Sequence, residues 1–222
     1  AYRRQRQMCI RDRHNLQAIV TFGYTGASPA LMGACAQRNI ELSFMSGNGR
    51  FLARVSGEEK GNVTLRKTQY RISEKKEESV KIAKNFILGK VYNARWVLER
   101  AARDYSMRLD AELLKKKSAF LGQSMNKIRE CEDAGTLLGL EGEAASVYFS
   151  AFDELILQQK EDFYFHGRNK RPPLDNVNAM LSFGYSLLAG MCGGALEAVG
   201  LDPYVGFFHT DRPGRMSLAL DL

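Results

Sequence analysis

The hydrophobic period of this chain changes once, across the polar stretch SGEEKGN at residues 56–62, and that change limits what the two sides can become. Upstream, apolar residues come in short runs broken by turn residues. AIVTFGY is β-rich and is followed by Gly26, Ser28 and Pro29; IELSFMS alternates, meets the turn GNG and returns as RFLARV, which reads as a hairpin. ALMGACAQRN between them reads as one short helix. Downstream the period is helical. VKIAKNFILGKVYNARWVLERAARDY sets Ile82, Phe86, Val91 and Leu98 near helical spacing, and LDAELLKKKSAFLGQSMNKIREC repeats the pattern with Leu114, Leu121, Met125 and Ile128. A third helix is expected to begin at EGEAASVYFSAFDELILQQ and a fourth at DNVNAMLSFGY, with Asp175 as its N-cap. The fold class is therefore α+β, mainly α. A small N-terminal β domain and linker over 14–60 should sit on a larger all-helical domain over 61–222.

At 222 residues and 45% hydrophobic content the chain can bury a core. A net charge of +7 points to a polyanion binder, because clustered Lys and Arg gain by displacing counterions from phosphate. Residues 1–13, AYRRQRQMCIRDR, hold five of the arginines against one Asp and so supply +4 of that charge. MCIRDR also matches the translation of a transposase-type sequencing adapter, so this segment is expected to be non-native. The competing reading is a basic nucleic-acid arm. The four cysteines show no CxxC spacing and read as small buried hydrophobes in a reducing, cytoplasmic setting, with neither zinc site nor disulfide framework. Residues 179–196, AMLSFGYSLLAGMCGGAL, carry no charge and place Gly190 and Gly194 at GxxxG spacing. Two serines, a tyrosine and four glycines favour a buried core helix over a membrane span.

Glu141 stands in register with Ala145, Tyr148 and Phe152, which aims it at the apolar side of its expected helix. A first-turn acid favoured by the helix dipole is the plain reading. A carboxylate turned inward, however, calls for a cation or donors. His209 follows an apolar run and alone reads as a satisfied core residue. Its company is TDRPGR, with Arg212 and Arg215 suited to phosphate oxygens, and then Asp221, twelve residues on, in a helix that Ser217 could cap. Glu, His and Asp together form an oxygen-rich set with one imidazole, which suits Mn²⁺ or Mg²⁺ and not structural zinc. A second basic cluster holds Arg168, Lys170 and Arg171, with Tyr164, Tyr185 and Tyr204 as faces on which bases could stack; a solvated loop looks the same.

Four segments in order, GNVTLRKTQY, GLEGEAASVYF, FHGRNKRPPLDNVNAMLSFGY and GLDPYVGFFHTDRPGRMSLALDL, closely resemble the CRISPR-associated integrase of the adaptation module, the universal first Cas protein, and most nearly its subtype I-C members. The likeness runs over 14–222. It implies a β domain, a linker and a helical metal-binding domain. It also implies a metal-dependent DNA endonuclease and integrase that inserts new spacers into a CRISPR array, through attack of prespacer 3′-hydroxyl ends on repeat DNA. The implied partners are DNA and the second Cas adaptation protein, which bridges a pair of homodimers; no membrane is implied. By position, Glu141 matches the family glutamate and His209 the family histidine. Asp221 matches a second acid near the metal, and the family's third ligand lies three residues further on, so the chain is expected to be truncated at that end as well as before residue 14. Arg168, Arg171, Arg212 and Arg215 are the expected phosphate clamps, and Arg66, Gln69 and Tyr70 are expected to support the linker. An alternative is an inactive DNA- or partner-binding fragment lacking its third ligand.

Overall fold

In the computed structural model, residues 16–57 and 62–222 are described. Residues 1–13, the expected non-native segment, and most of the expected joint lie outside them. The N-terminal part is a three-stranded sheet in the order β1 (Ala18–Phe22), β2 (Glu41–Met45), β3 (Phe51–Val55). β2 and β3 form the expected hairpin, with an irregularity between Phe44 and Met45, and β1 pairs parallel to β2 across the crossover helix α1 (Pro29–Gln37). Ser28 caps α1 by accepting the Leu31 N–H at 3.2 Å, and Pro29 starts it without losing a needed donor. Leu42 and Met45 of the central strand are buried, Leu42 with Cys35 and Ile40 under α1.

Six further helices follow among the described residues: α2 (Val63–Ser73), α3 (Lys76–Asp104), α4 (Ala111–Glu130), α5 (Ala134–Ser150), α6 (Asn176–Ala198) and the short α7 (Ser217–Asp221). A 3₁₀ turn at Phe152–Leu155 continues α5. α3 and α4 pack against each other and α5 crosses both. Their shared core holds Val80, Ile87, Leu98, Leu114, Leu121, Ile128 and Leu137, the apolar positions that helical spacing brings to one face. Asp110 and Asp133 cap α4 and α5 through the Leu113 and Thr136 N–H groups at 2.9 and 2.7 Å. α5 thus begins seven residues before Glu141, which lies two turns inside the helix. The dipole reading of that carboxylate falls with this, because the effect is confined to the first turn.

α6 departs from its expected role. Only 17% of its most apolar stretch is buried, and Met180, Phe183, Tyr185 and Leu188 are exposed, so it is not a core helix. By length and composition it could cross a membrane. One face of it docks. A Cβ at Gly193 would lie 2.8 Å from Met216 Sδ and 3.1 Å from an Arg54 guanidinium nitrogen, and one at Gly194 would lie 3.2 Å from the Glu41 carboxylate, so glycine is what lets the helix meet the sheet. Arg54 of β3 adds an ion pair with Glu197 and a hydrogen bond to the Gly190 carbonyl at 3.3 Å. The sequence shows an apolar residue but not how many sides of its helix find a neighbour.

Candidate active site

His209 reaches its position on an arch, residues 199–209, that leaves α6 and returns over α7. Asp221, at the end of α7, fixes it. One Asp221 oxygen accepts the Phe207 and Phe208 N–H groups at 2.7 and 3.0 Å; the other accepts the His209 N–H at 2.9 Å and meets His209 Nδ1 at 2.7 Å. The Asp221 side chain is wholly buried, whereas that of His209 is 39% exposed. An acceptor-only carboxylate calls for the proton on Nδ1, so in the neutral imidazole Nε2 is the nitrogen that carries the lone pair. Asp221 is therefore occupied in orienting the imidazole, and its oxygens point at backbone donors. Gly206 makes this closeness possible: a Cβ there would lie 2.8 Å from the His209 carbonyl oxygen and 3.0 Å from Asp221 Oδ2. Sequence reading passed over Gly206, since a glycine in a loop carries no mark of what stands next to it.

Glu141 is half-buried on α5, between Leu137 and Ala144 of the core, and its carboxylate forms an ion pair with Lys90 of α3. Lys90 was not anticipated either; among the many surface lysines only the packing of α3 on α5 singles it out. Phe208 packs on the same core cluster as Leu140, Val147 and Tyr148, which ties the His209 arch to the helix of Glu141. Among the described residues no three His, Cys, Asp or Glu side chains gather as a metal-binding group. The structure thus joins His209 with Asp221, pairs Glu141 with Lys90, and does not assemble Glu141, His209 and Asp221 as one three-ligand set.

The four expected clamps divide into two kinds. Arg171 and Arg212 are exposed. Arg168 is half-buried over the Tyr185 ring, 5.6 Å from its centroid, and donates to Asn178 Oδ1 at 2.8 Å and to the Asn169 carbonyl at 2.7 Å. Arg215 donates to the Thr210 carbonyl and, at 3.4 Å, to Ser217 Oγ. Ser217 is the first residue of α7 and donates to the Thr210 carbonyl at 3.3 Å, so it braces the turn and does not cap the helix as expected. Arg168 and Arg215 therefore shape their loops, and the guanidinium groups left for a ligand are those of Arg171 and Arg212.

The Arg168 loop is held by Asn178, which is fully buried. Asn178 accepts the Asn169 N–H at 3.1 Å, and its amide donates to the Gly167 carbonyl at 2.8 Å and to Asp175 Oδ2 at 2.7 Å. Asp175 is the N-cap of α6, as expected, accepting the Asn178 N–H at 2.7 Å. Burial pushes the Asp175 carboxyl up, but hydrogen bonds from Asn178 and Asn169 outweigh it and hold the group below its ordinary 3.8. A folded-state value below the unfolded one stabilises the fold above the unfolded value, and the gain is lost as pH falls through the folded value. The urea midpoint should therefore drop on acidification below about pH 4, and drop less in Asp175→Asn, whose cap no longer titrates. Equal drops in the two proteins would remove Asp175 from the account.

Residues 3–222 match the family described as CRISPR associated protein Cas1. The chain is 51% identical over 213 residues to a Rhodospirillum rubrum protein named CRISPR-associated endonuclease Cas1 2, and 46% identical over 209 residues to a Chlorobaculum tepidum protein named CRISPR-associated endonuclease Cas1 1. Each match covers 94% of this chain and 61% of the relative, so the chain spans less than two thirds of their length. Among solved structures it is similar to a casposase bound to integration product, with a TM-score of 0.70 and 27% identity over 93% of this chain and 56% of that one. With the family matched over nearly its whole length, and the small sheet and helical core in place, the chain belongs to the CRISPR-associated Cas1 family.

Proposed function

We propose that this chain forms the catalytic part of a cytoplasmic, metal-dependent DNA endonuclease and integrase, which joins 3′-hydroxyl ends of short DNA fragments to repeat DNA during spacer acquisition. The observation that carries this reading is the clamp on His209, which leaves Nε2 oriented and free in a chain about half identical to proteins named as endonucleases. The casposase likeness supports the same direction, since that protein was captured with an integration product.

By donor chemistry a hard divalent ion such as Mn²⁺ or Mg²⁺ suits a carboxylate and an imidazole, so Glu141 and His209 are the residues that would hold it, with water and phosphate oxygens for its other positions. When bound, such an ion supplies charge stabilisation to a phosphodiester under attack and acidifies the incoming hydroxyl. The protein's own residues do the rest. Asp221 keeps the proton on Nδ1 and holds the ring's angle. Lys90 pairs with the Glu141 carboxylate, and its ammonium would serve a phosphate oxygen if a divalent ion took that carboxylate. Arg171 and Arg212 hold the DNA backbone from outside, and Arg168 positions the loop that carries Arg171. DNA, a second Cas adaptation protein and a second copy of this protein are the proposed partners.

Strand transfer tests the reading. A labelled fragment with free 3′-hydroxyls and a supercoiled repeat plasmid should give joined product in manganese and none in EDTA. His209→Ala should lower the rate by about a hundredfold or more, the loss typical of removing one preorganised group acting on the transition state. Product formed at the unaltered rate by His209→Ala would refute the assignment. Protein that binds DNA but joins nothing, with or without manganese, would establish the alternative of a binding fragment.

A further inference from the structure

We propose that α2 is the frame that fixes the His209 imidazole, with Gln69 as a positioning residue acting through the arch and α7; this rests on the metal-site reading above. Gln69 is 3% exposed, and its amide is spent on backbone 133 and 136 positions away. Its Nε2 donates to the Asp202 and Val205 carbonyls at 2.8 and 3.0 Å, and its Oε1 accepts the Asp202 N–H at 2.9 Å. Two neighbours on the same helix reinforce the grip. Arg66 Nε donates to the Gly200 carbonyl at 3.1 Å, and the Tyr70 hydroxyl donates to Asp202 Oδ2 at 2.9 Å. That last bond is the main reason the Tyr70 hydroxyl is held above its ordinary pKa, and it leaves Asp202 Oδ1 to accept the Tyr204 N–H at 2.9 Å.

The grip is passed on through Pro203. Its carbonyl, between the two carbonyls that Gln69 holds, accepts the Leu218 and Ala219 N–H groups at 3.0 and 3.4 Å, in the first turn of α7. α7 is five residues long and has no side-chain cap, so its place is set by this carbonyl and by Leu218 and Ala219 packing with Leu196. The other end of α7 is Asp221, whose carboxylate sets the ring. Gly206 leaves no slack between arch and clamp, because nothing larger than hydrogen fits there. Every link from Gln69 to the imidazole is therefore a hydrogen bond or a packed contact, and α2, an eleven-residue helix in contact with α3, holds the far end of the relay.

The test uses Gln69→Met, which keeps length and volume but removes every polar atom, with Tyr70→Phe as a milder variant. In metal-free protein, amide exchange at Phe207, Phe208 and His209 should rise about tenfold in Gln69→Met, and ring ¹⁵N shifts should show His209 populating both tautomers. Tyr70→Phe should move both readouts the same way by about two- to threefold. Mn²⁺ affinity, read by electron paramagnetic resonance, should fall about tenfold in Gln69→Met, the usual scale for losing an outer-shell partner. If overall stability drops while the exchange rates and the tautomer stay as in the parent, Gln69 is only a packing residue and the proposal is overturned. If the parent binds no Mn²⁺ yet the exchange and tautomer effects appear, the metal reading fails and the frame stands. Should Gln69→Met fail to fold, an unchanged Tyr70→Phe overturns the frame and a shifted one supports it.

Discussion

Asp221→Ala is expected to lower the unfolding free energy by about 4 kcal/mol, a large share of what a domain of this size possesses. The side chain is wholly buried and accepts three backbone N–H groups and the imidazole Nδ1. Removing it strands these donors in a space that Gly206, Ser217 and the arch keep narrow, and each buried donor left unpaired costs about 1–3 kcal/mol. Water entering the void returns part of that, which is why the full sum is not expected. Asp221→Asn should cost less, about 2 kcal/mol, since one oxygen survives while the amide N–H₂ turns toward other donors. Urea unfolding with an unchanged m-value measures both. A loss below about 1 kcal/mol for the alanine variant would mean that the loop is held by something other than this carboxylate.

Glu141→Gln should do the reverse, sparing the fold and removing the chemistry. Lys90 is 57% exposed, so its ion pair with Glu141 is screened by solvent and contributes no more than about 1 kcal/mol to stability. The glutamine keeps the volume and can still accept from Lys90. What it loses is the negative charge, and a hard divalent ion discriminates strongly between carboxylate and amide oxygen. Strand transfer should fall by about a hundredfold or more while the melting temperature moves by only a few degrees. Lys90→Met should bind manganese at least as tightly as the parent, because a competing cation has been taken away, yet join DNA more slowly if its ammonium serves the phosphate. Tighter Mn²⁺ binding with unchanged strand transfer would limit Lys90 to neutralising the metal-free carboxylate.

Much of this was legible before any coordinates. The β2–β3 hairpin followed from alternation around GNG, and the Asp175 cap from its place ahead of an apolar run; helical spacing found Val91, Leu98, Leu114, Leu121, Met125 and Ile128 of the α3–α4 core, whereas Val80, Ala83 and Ile87 hold the places expected of Ile82 and Phe86, and Phe86 packs instead toward Leu196 and Leu218. These are local signals, set within a few residues by backbone geometry and side-chain period. The start of α5 was missed because DAGTLLGL carries two glycines, which weaken helix propensity, while the Asp133 cap and burial of Leu137 against α3 and α4 override it. The nature of α6 was missed for another reason: an uncharged stretch reads the same whether its outer face is covered or bare.

Within the site the same division holds. The residue types and their order along the chain marked Glu141, His209 and Asp221 as a group worth pairing with a hard cation, and the basic turns as phosphate sites. Which of them touch was decided only by folding. Asp221 could have served as ligand, cap or brace, and it became the brace because α7 carries it under the Phe207, Phe208 and His209 N–H groups at the end of the arch. Lys90 and Gly206 stayed invisible, and Gln69 was marked only as a support for the linker and not for its hold on Asp202 and Val205, since each matters through a partner distant in the sequence. A sequence sets period, propensity and charge residue by residue; who meets whom depends on the path of the chain between them, and that exists only once the helices have packed.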